Sequence, residues 1–418
     1  MVDEVRKAAW ALVAAVGEGR LLSELLPDAV EHLPEAGRAR AGRLAHETLR
    51  WSQRADRVLG PYLRKKPYPL THDMLRMAVW ELCADCGAPH GVINSAVTLL
   101  RNNPDTRRQS GLANAVLRRV AKAEVKWDDL PAPSLPKWLR KPLLAAYGKA
   151  AVGAMEAAHA VGAPLDLTLR DGPDKALTEA LEAEVLPTGS LRLRGSRRVT
   201  ALPGYEDGRW WVQDAAAALP VRALAPKPGE QVLDLCAAPG GKTMQLAAAG
   251  AQVTALDVSA ARMGRVEENL KRTGLTAKLV VADALKWAPE APFEAVLLDA
   301  PCSATGTIRR HPDLPHAKDG SGFEELYKLQ AALIDRAAEW LTPGGRLVYC
   351  TCSLLPEEGE AQAAAAIERT ALQAVSVDVP GISPEWITPN GYLRLRPDYW
   401  AERGGMDGFF IAVLQKPA

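Results

Sequence analysis

The feature that most constrains this 418-residue chain is a regular alternation of apolar, strand-like runs with helical segments from residue 231 onward. We predict strands at 231–236, 252–257, 278–282, 294–299 and 346–351, and helices at about 242–249, 259–273, 323–341 and 357–370. The tail adds strand candidates at 392–395 and 409–414. Strands and helices that alternate with short connections form a parallel sheet covered on both faces. We therefore expect an α/β Rossmann-like domain over residues 211–418, with a seven-stranded, mostly parallel, doubly wound sheet.

The turn after the first of these strands has the composition of a cofactor loop. Ligands of a doubly wound sheet bind beyond the carboxyl ends of its strands. Adjacent glycines allow the backbone to approach a ligand closely, and the following helix offers N–H groups to an anion. The spacing is that of neither a dinucleotide fingerprint nor a phosphate-binding P-loop. The predicted cofactor loop consists of Cys236, Ala237, Ala238, Pro239, Gly240, Gly241 and Lys242.

Acidic residues end the next three strands. Asp257 follows the loop by about 20 residues, the spacing at which a carboxylate accepts hydrogen bonds from ribose hydroxyls. Asp283 ends the third strand, where it could receive an adenine amino group, and Asp299 ends the fourth. A glycine turn with acids at successive strand ends indicates a nucleoside cofactor.

Two cysteines follow neighbouring strands. Cys302 comes shortly after Asp299 and Cys352 directly after the fifth strand. These strands should lie about 5 Å apart, so that both thiols face the cofactor crevice. A thiolate that adds to carbon 6 of a cytosine makes carbon 5 nucleophilic towards a methyl sulfonium. Asp299, with its pKa raised by burial, would act as the acid near ring nitrogen 3, and a second thiol would help release the product. The alternative is that these cysteines are small apolar core residues, which suits Cys350.

The first part of the chain is predicted to be helical. Residues 1–125 contain apolar residues at helical spacing, with helices expected at 38–63, 73–83, 92–100 and 111–120. The proline-rich segment 126–137 reads as a linker, and 138–210, with strand-like runs at 165–170 and 190–194, as a small α+β subdomain.

Charge is distributed unevenly along the chain. Residues 1–150 hold 24 Lys and Arg against 16 Asp and Glu, whereas the rest of the chain is mildly acidic. A basic module indicates binding to a polyanion such as a nucleic acid, although an arginine-rich, solvated helical surface would give the same excess of positive charge. Arg309 and Arg310 follow the Cys302 loop and could hold substrate phosphate, or could anchor the loop.

Several functional classes are disfavoured. The longest apolar run near the start, 8–16, is too short to span a bilayer, and no signal-peptide pattern is visible. We therefore expect a cytoplasmic protein whose six cysteines remain thiols. Cys83 and Cys86 form a single CxxC flanked by His72 and His90. Because no second pair exists, no metal is predicted, with zinc as the alternative.

Five stretches closely resemble the Sun/NOL/NOP family of RNA (cytosine-5) methyltransferases. They are VQDAAAALP (212–220), VLDLCAAPGGKT (232–243), LLDAPCSATGTIRRHPD (297–313), YCTCSLLPEEGE (349–360) and MDGFFIAVL (406–414). The resemblance implies S-adenosyl-L-methionine as cofactor, held by residues 236–242, Asp257, Asp283 and Asp299. It also implies that Cys352 is the nucleophile and that Cys302 aids product release.

The amino-terminal block resembles a NusB-like RNA-binding domain through GVINSAVTLL (91–100) and GLANAVLRRV (111–120). That module favours the bacterial branch that modifies small-subunit (16S) ribosomal RNA. We separately expect a monomer that acts on protein-free or early-assembly RNA. The sequence departs from the family pattern at Ala304, where glycine is common, and at Gly359, where asparagine is common. The segment 167–172 also lacks an asparagine usual in the family, which leaves substrate positioning open.

Other functions remain open. A DNA cytosine-5 methyltransferase shares the chemistry but would use the cysteine at the position of Cys302 as nucleophile, and a tRNA could be the substrate. A non-catalytic RNA-binding assembly factor would bind RNA independently of the cofactor. A small-molecule methyltransferase would not need the basic module.

Overall fold

A computed structural model describes residues 3–195 and 197–418, which fall into two compact units. The first unit consists of Met1–Val161 and Ile308–Gly320, and the second of Gly162–Thr307 and Ser321–Ala418. Met1, Val2 and Ser196, which the predicted domains include, lie outside the described residues. Within the described ranges no helix is both long and apolar enough to cross a membrane.

The first unit is helical, as predicted. Its helices up to the boundary are α1 (Glu4–Gly17), α2 (Leu22–Val30), α3 (Glu35–Arg50), α4 (Ser52–Leu59), α5 (Pro69–Cys83), α6 (Pro89–Asn102), α7 (Ser110–Val120) and α8 (Lys137–Val161). The single helix expected over 38–63 is interrupted at Trp51, whose φ of −103° and ψ of 12° leave the helical region. The Trp51 indole donates to Glu47 and its ring lies 4.3 Å from the Arg54 guanidinium, so side-chain packing fixes the break.

The segment 126–137 does not separate compact units, which corrects the predicted boundary. Trp127 is buried in the helical core, where its ring contacts that of Trp51 at 6.2 Å. Leu135 is also buried, and its N–H donates to Glu156 of α8 at 2.8 Å. Because Trp127 and Leu135 anchor it, the segment packs onto the helices, and the first unit continues to Val161.

The second unit begins with a small antiparallel sheet in the predicted α+β region. Its elements are β1 (Leu165–Leu169), α9 (Lys175–Ala180), β2 (Glu184–Val185), β3 (Leu191–Leu193) and β4 (Trp210–Val212), with strand order β2-β3-β1-β4. A buried ion pair joins Asp166 of β1 to Arg192 of β3 at 2.7 Å.

The remaining elements build the large sheet and its covering helices. They are α10 (Leu219–Leu224), β5 (Gln231–Leu235), α11 (Gly241–Ala248), β6 (Gln252–Asp257), α12 (Ala260–Thr273), β7 (Lys278–Val281), β8 (Phe293–Asp299), α13 (Leu314–Ala317), α14 (Phe323–Glu339), β9 (Leu341–Thr351), α15 (Glu360–Arg369), β10 (Gln373–Val375), β11 (Leu393–Leu395) and β12 (Phe409–Gln415). Of these, α13 belongs to the first unit.

The sheet order is β10-β12-β9-β8-β5-β6-β7, and β11 also pairs with β12. The five strands from β7 to β9 are parallel, whereas β12 runs antiparallel to β9. The doubly wound, mostly parallel fold is therefore as predicted, and the predicted strands at 392–395 and 409–414 correspond to β11 and β12, whereas β10 was not predicted. The chain order reverses between β5 and β8, and ligands of such sheets bind beyond the strand ends at that point.

Candidate active site

The loop after β5 turns tightly at the carboxyl edge of the sheet. Cys236 has a φ of 66°, and Gly240 has a φ of 98°. A Cβ added at Gly240 would lie 3.0 Å from a methyl group of Val266, so both backbone conformation and space favour glycine here. The Gly240 N–H donates to Ala237 O at 2.8 Å, and α11 begins at the next residue. The first-turn N–H groups of α11 are therefore available to an anionic group.

Asp257 and Asp283 lie at the same edge, each followed closely by an exposed apolar residue. Asp257 is buried and accepts the Ala238 N–H at 3.2 Å. Asp283 is partly exposed. Val258 is 70% exposed and Leu285 43%. S-adenosylmethionine has ribose hydroxyls and an adenine amino group that carboxylates can bind, a base that packs on apolar side chains, and a carboxylate that helix N–H groups can bind. The residues at this edge supply all of these, so they fit that cofactor.

Lys242 and Asp299 form an ion pair, a pairing that the sequence did not reveal. Lys242 Nζ lies 2.7 Å from Asp299 Oδ2. Burial lowers the pKa of Lys242, but the charge of Asp299 and the thiols of Cys350 and Cys352 raise it by more, so the pKa is raised overall. We expected Asp299 to be a buried acid. Instead it is partly exposed and bound to a cation, because α11 directs Lys242 across the end of β8.

Cys302 and Cys352 lie side by side. Their sulfur atoms are 3.5 Å apart, and both residues are partly exposed. The pairing of β8 with β9 continues into the loops, since the Ala300 N–H donates to Cys350 O at 3.0 Å and the Gly306 N–H to Cys352 O at 2.9 Å. Cys350 is fully buried, as a core residue would be.

The two predicted phosphate contacts differ in the structure. Arg309 is fully buried. No substrate phosphate could reach its side chain there, so this prediction is corrected. The cause is that Arg309 lies in the returning segment of the first unit, where the Arg50 guanidinium donates to its carbonyl oxygen at 2.9 Å. Arg310 is exposed and stays a prediction.

The CxxC of the first unit consists of one half-buried and one exposed cysteine. Cys83 is half-buried, Cys86 is exposed, and burial raises the pKa of Cys83 to about 11. Across residues 3–195 and 197–418, no group of three or more His, Cys, Asp or Glu side chains could hold a metal ion.

Sequence reasoning missed one buried acid near the cysteines. Glu358 is fully buried and accepts hydrogen bonds from Ser303, the residue after Cys302. The sequence signal that could have indicated this residue is an acid six residues after Cys352, in a turn that contains Leu354, Leu355 and Pro356.

The fold and this edge together define the class of Rossmann-like, S-adenosylmethionine-dependent methyltransferases. Residues 221–415 match the family described as 16S rRNA methyltransferase RsmB/F, and residues 3–122 match the NusB family. The chain is 36% identical to ribosomal RNA small subunit methyltransferase B of Salmonella arizonae, over 98% of this chain and 97% of that protein. Identity to the protein of the same name from Escherichia coli O157:H7 is 34%, with the same coverage. This chain belongs to the ribosomal RNA small subunit methyltransferase B family.

Solved structures agree with the fold. A methyltransferase homologue from Pyrococcus horikoshii is 28% identical, with a TM-score of 0.57 over 66% of this chain and 93% of that one. PH0851 has a TM-score of 0.75 over 98% of both chains at 24% identity, a similarity that concerns the fold alone.

Proposed function

We propose that this protein methylates carbon 5 of a cytosine in small-subunit (16S) ribosomal RNA, with Cys352 as nucleophile. The observation that carries the proposal is the pair of thiols, 3.5 Å apart, beside the Lys242–Asp299 ion pair. Cytosine carbon 5 needs a nucleophile and a proton source for activation, and a second group for release. These four side chains supply all three at one edge.

Addition to the base comes first. The Cys352 thiolate forms a bond to carbon 6, and the displaced electron pair ends on ring nitrogen 3, which takes up a proton. The Lys242–Asp299 pair holds a proton at this edge and supplies it. S-adenosylmethionine, when bound, provides the electrophilic methyl group that the activated carbon 5 attacks.

Release requires that carbon 5 lose its hydrogen as a proton. The pKa of Cys302 is raised well above its ordinary value by its hydrogen bond to Cys352, by burial, and by the charges of Cys352 and Glu358. Once Cys352 is bonded to carbon 6, its contributions vanish and Cys302 ionises more readily. Cys302 then accepts the proton from carbon 5, nitrogen 3 returns its proton, and the sulfur of Cys352 leaves with the bonding electron pair.

A groove between α6 and α7 supports binding of RNA by the first unit. It has a volume of about 480 Å³, with Ile93 and Val97 in its lining and Arg101, Arg118 and Lys122 exposed around it. Neither helix contains an acidic residue. Exposed cations on helices that contain no acid are suited to a phosphate backbone, so we propose this groove as the binding surface for ribosomal RNA.

The substrate RNA must bring its target cytosine to Cys352. The target base must be presented by a loop or be flipped out before Cys352 reaches it. Exposed Arg310 is the candidate for a contact with a substrate phosphate. We further propose that the protein acts as a cytoplasmic monomer on protein-free or early-assembly RNA.

The test uses unmethylated small-subunit ribosomal RNA, methyl-labelled S-adenosylmethionine, and the wild type with three variants: C352A, C302A and, as a matched control, C86A at an exposed cysteine. Nucleoside mass spectrometry measures 5-methylcytosine, and denaturing gels measure protein–RNA adducts. DNA and tRNA serve as comparison substrates.

We expect C352A to be inactive, C302A to accumulate an adduct, and C86A to resemble the wild type. Turnover by C352A would favour the DNA-type mechanism with Cys302 as nucleophile. RNA binding without 5-methylcytosine in any RNA would favour a non-catalytic assembly factor.

A further inference from the structure

The buried carboxylate of Glu358 is bound to the loop that carries Cys302. Its Oε1 accepts the Ser303 N–H at 2.8 Å, and its Oε2 accepts the Ser303 hydroxyl at 2.5 Å. Gln330 Nε2 donates both to Glu358 Oε1 at 3.0 Å and to Pro301 O at 2.9 Å. Glu358 and Gln330 thus hold the backbone on both sides of Cys302.

The same network continues to the loop that carries Cys352. The Ser353 hydroxyl lies 3.1 Å from that of Ser303 and 3.2 Å from that of Thr305. The Leu354 N–H donates to Thr305 Oγ1 at 3.0 Å, and Arg394 donates to Ser353 O at 2.5 Å. Ser303 and Ser353 each follow a cysteine directly, so this fully buried network lies immediately behind both thiols.

A negative charge lies behind the Cys302 loop. Glu358 is on the Cys302 side, where its negative charge is among the causes that raise the pKa of Cys302. The Lys242 ammonium interacts with both Cys350 and Cys352 and is itself bound to Asp299. A buried anion disfavours a nearby thiolate.

We propose that Glu358 is a positioning residue that makes the two adjacent thiols unequal. It fixes the Cys302 loop against the Cys352 loop and holds a negative charge behind Cys302, so that Cys352 is the one that reacts as a nucleophile. The inference rests on the proposed function for the roles of the cysteines, but the inequality itself is measurable without RNA.

The test compares E358Q with E357Q, its exposed neighbour, as the matched control. Glutamine keeps the shape and one acceptor oxygen of Glu358 but removes the charge. S303A is the second variant, because it removes the hydroxyl contact and leaves the backbone N–H bond. Each full-length protein is alkylated with iodoacetamide at several pH values, and peptide mass spectrometry gives the rate at Cys302 and at Cys352 separately.

In the wild type we expect Cys352 to be alkylated faster than Cys302. E358Q should raise the Cys302 rate at least about threefold, because the thiolate is the reacting form and each pKa unit changes its fraction up to about tenfold. S303A should change the ratio in the same direction by less, and E357Q should leave it unaltered. Thermal unfolding of each variant checks that the fold is intact.

An unchanged ratio in E358Q would overturn the inference, and if E358Q does not fold, an unchanged ratio in S303A would do so. The RNA assay separates this outcome from failure of the proposed function. If E358Q equalises the two rates while even the wild type produces no 5-methylcytosine, the inequality of the thiols stands and the proposed reaction is wrong.

Discussion

The α6–α7 groove and the carboxyl edge of the large sheet both carry functional charge, but they carry it differently. In the groove, Arg101, Arg118 and Lys122 are exposed and no ion pair is found for them among the residues that the structure describes. At the sheet edge, Lys242 is buried and bound to Asp299. The groove exposes its charged side chains to solvent, whereas the sheet edge holds a buried cation in an ion pair.

This difference separates binding from chemistry. Exposed charges act through water, are screened by salt, and contribute individually modest amounts. Buried charges interact more strongly, so the loss of one partner disturbs the whole site. We therefore expect graded effects from substitutions in the groove and abrupt effects from substitutions at the sheet edge.

A high local content of arginine does not by itself mark the binding surface. In the same helical unit, Arg40 of α3 is paired with Glu81 at 3.3 Å, and Arg43 with Asp85 at 2.6 Å. Their charge is already compensated within the protein. The groove differs because its two helices contain no acids.

The largest effect is expected for K242M. Removal of the buried cation leaves Asp299 without its partner and removes the proposed proton source, so kcat should fall about a hundredfold, as on loss of a preorganised polar group. The measurement is single-turnover transfer of labelled methyl groups at saturating RNA. K278M, at an exposed position of β7, is the control. If K242M kept more than half of the wild-type kcat, the buried Lys242–Asp299 ion pair would not be essential for catalysis at the sheet edge.

A smaller effect is expected for the triple variant R101Q/R118Q/K122Q. The Kd for ribosomal RNA should rise about tenfold at moderate salt, and the slope of log Kd against log salt should fall by about 2, since each lost phosphate contact contributes a little under one unit. Filter binding at several salt concentrations measures both, and kcat at saturating RNA should not change.

The paired arginines provide the comparison for the groove. R40Q/R43Q should alter RNA affinity much less than the groove variant, because Glu81 and Asp85 already balance those charges. Equal losses in the two variants would remove the distinction between paired and unpaired arginines.

The smallest effect concerns a buried group that is neutral rather than charged. His159 of α8 is buried, and among residues 3–195 and 197–418 neither of its ring nitrogens has a hydrogen-bond partner. Burial, together with the charges of Arg309 and Arg50, lowers its pKa from 6.5 to about 3. Below pH 6.5 His159 binds a proton in the unfolded chain but stays neutral in the folded chain. The free energy of unfolding therefore decreases as the pH falls from 6.5 towards 3.

H159L should therefore weaken the loss of stability on acidification. Between about pH 6 and pH 5, its unfolding free energy should fall by roughly 1 kcal/mol less than that of the wild type, the scale of one proton over one pH unit. Denaturant titrations followed by tryptophan fluorescence measure this difference. H32L, at an exposed histidine, is the control. His311 and His316, whose pKa values are also lowered by burial, leave part of the dependence in place. Parallel curves for H159L and the wild type would contradict the assignment.

The features that could be predicted from the sequence are those that depend on strand order and local residue pattern. Asp257, Asp299 and Cys352 could be assigned to one edge because parallel strands that alternate with helices end on the same side. The doubly wound sheet and the helical first unit follow from apolar periodicity alone. The residue spacing of the cofactor loop similarly implied its glycine turn.

What the sequence could not predict depends on contacts between distant segments. Arg309 is buried because residues 308–320 return to the first unit, which no local pattern indicates. The proline-rich segment was mistaken for a linker because its anchors, Trp127 and Leu135, contact residues far along the chain. The burial of Glu358 was not predicted, because its partner Ser303 lies 55 positions away in the chain.

The central claim is that Cys352 forms the bond to cytosine, and the most direct measurement traps that bond. Small-subunit ribosomal RNA carrying 5-fluorocytosine stalls the reaction after methyl transfer, because fluorine cannot leave carbon 5 as a proton does. The adduct is digested and the modified peptide identified by mass spectrometry. We predict attachment at Cys352 in the wild type and in C302A, and no adduct in C352A. Attachment at Cys302, or an adduct that persists in C352A, would contradict this account.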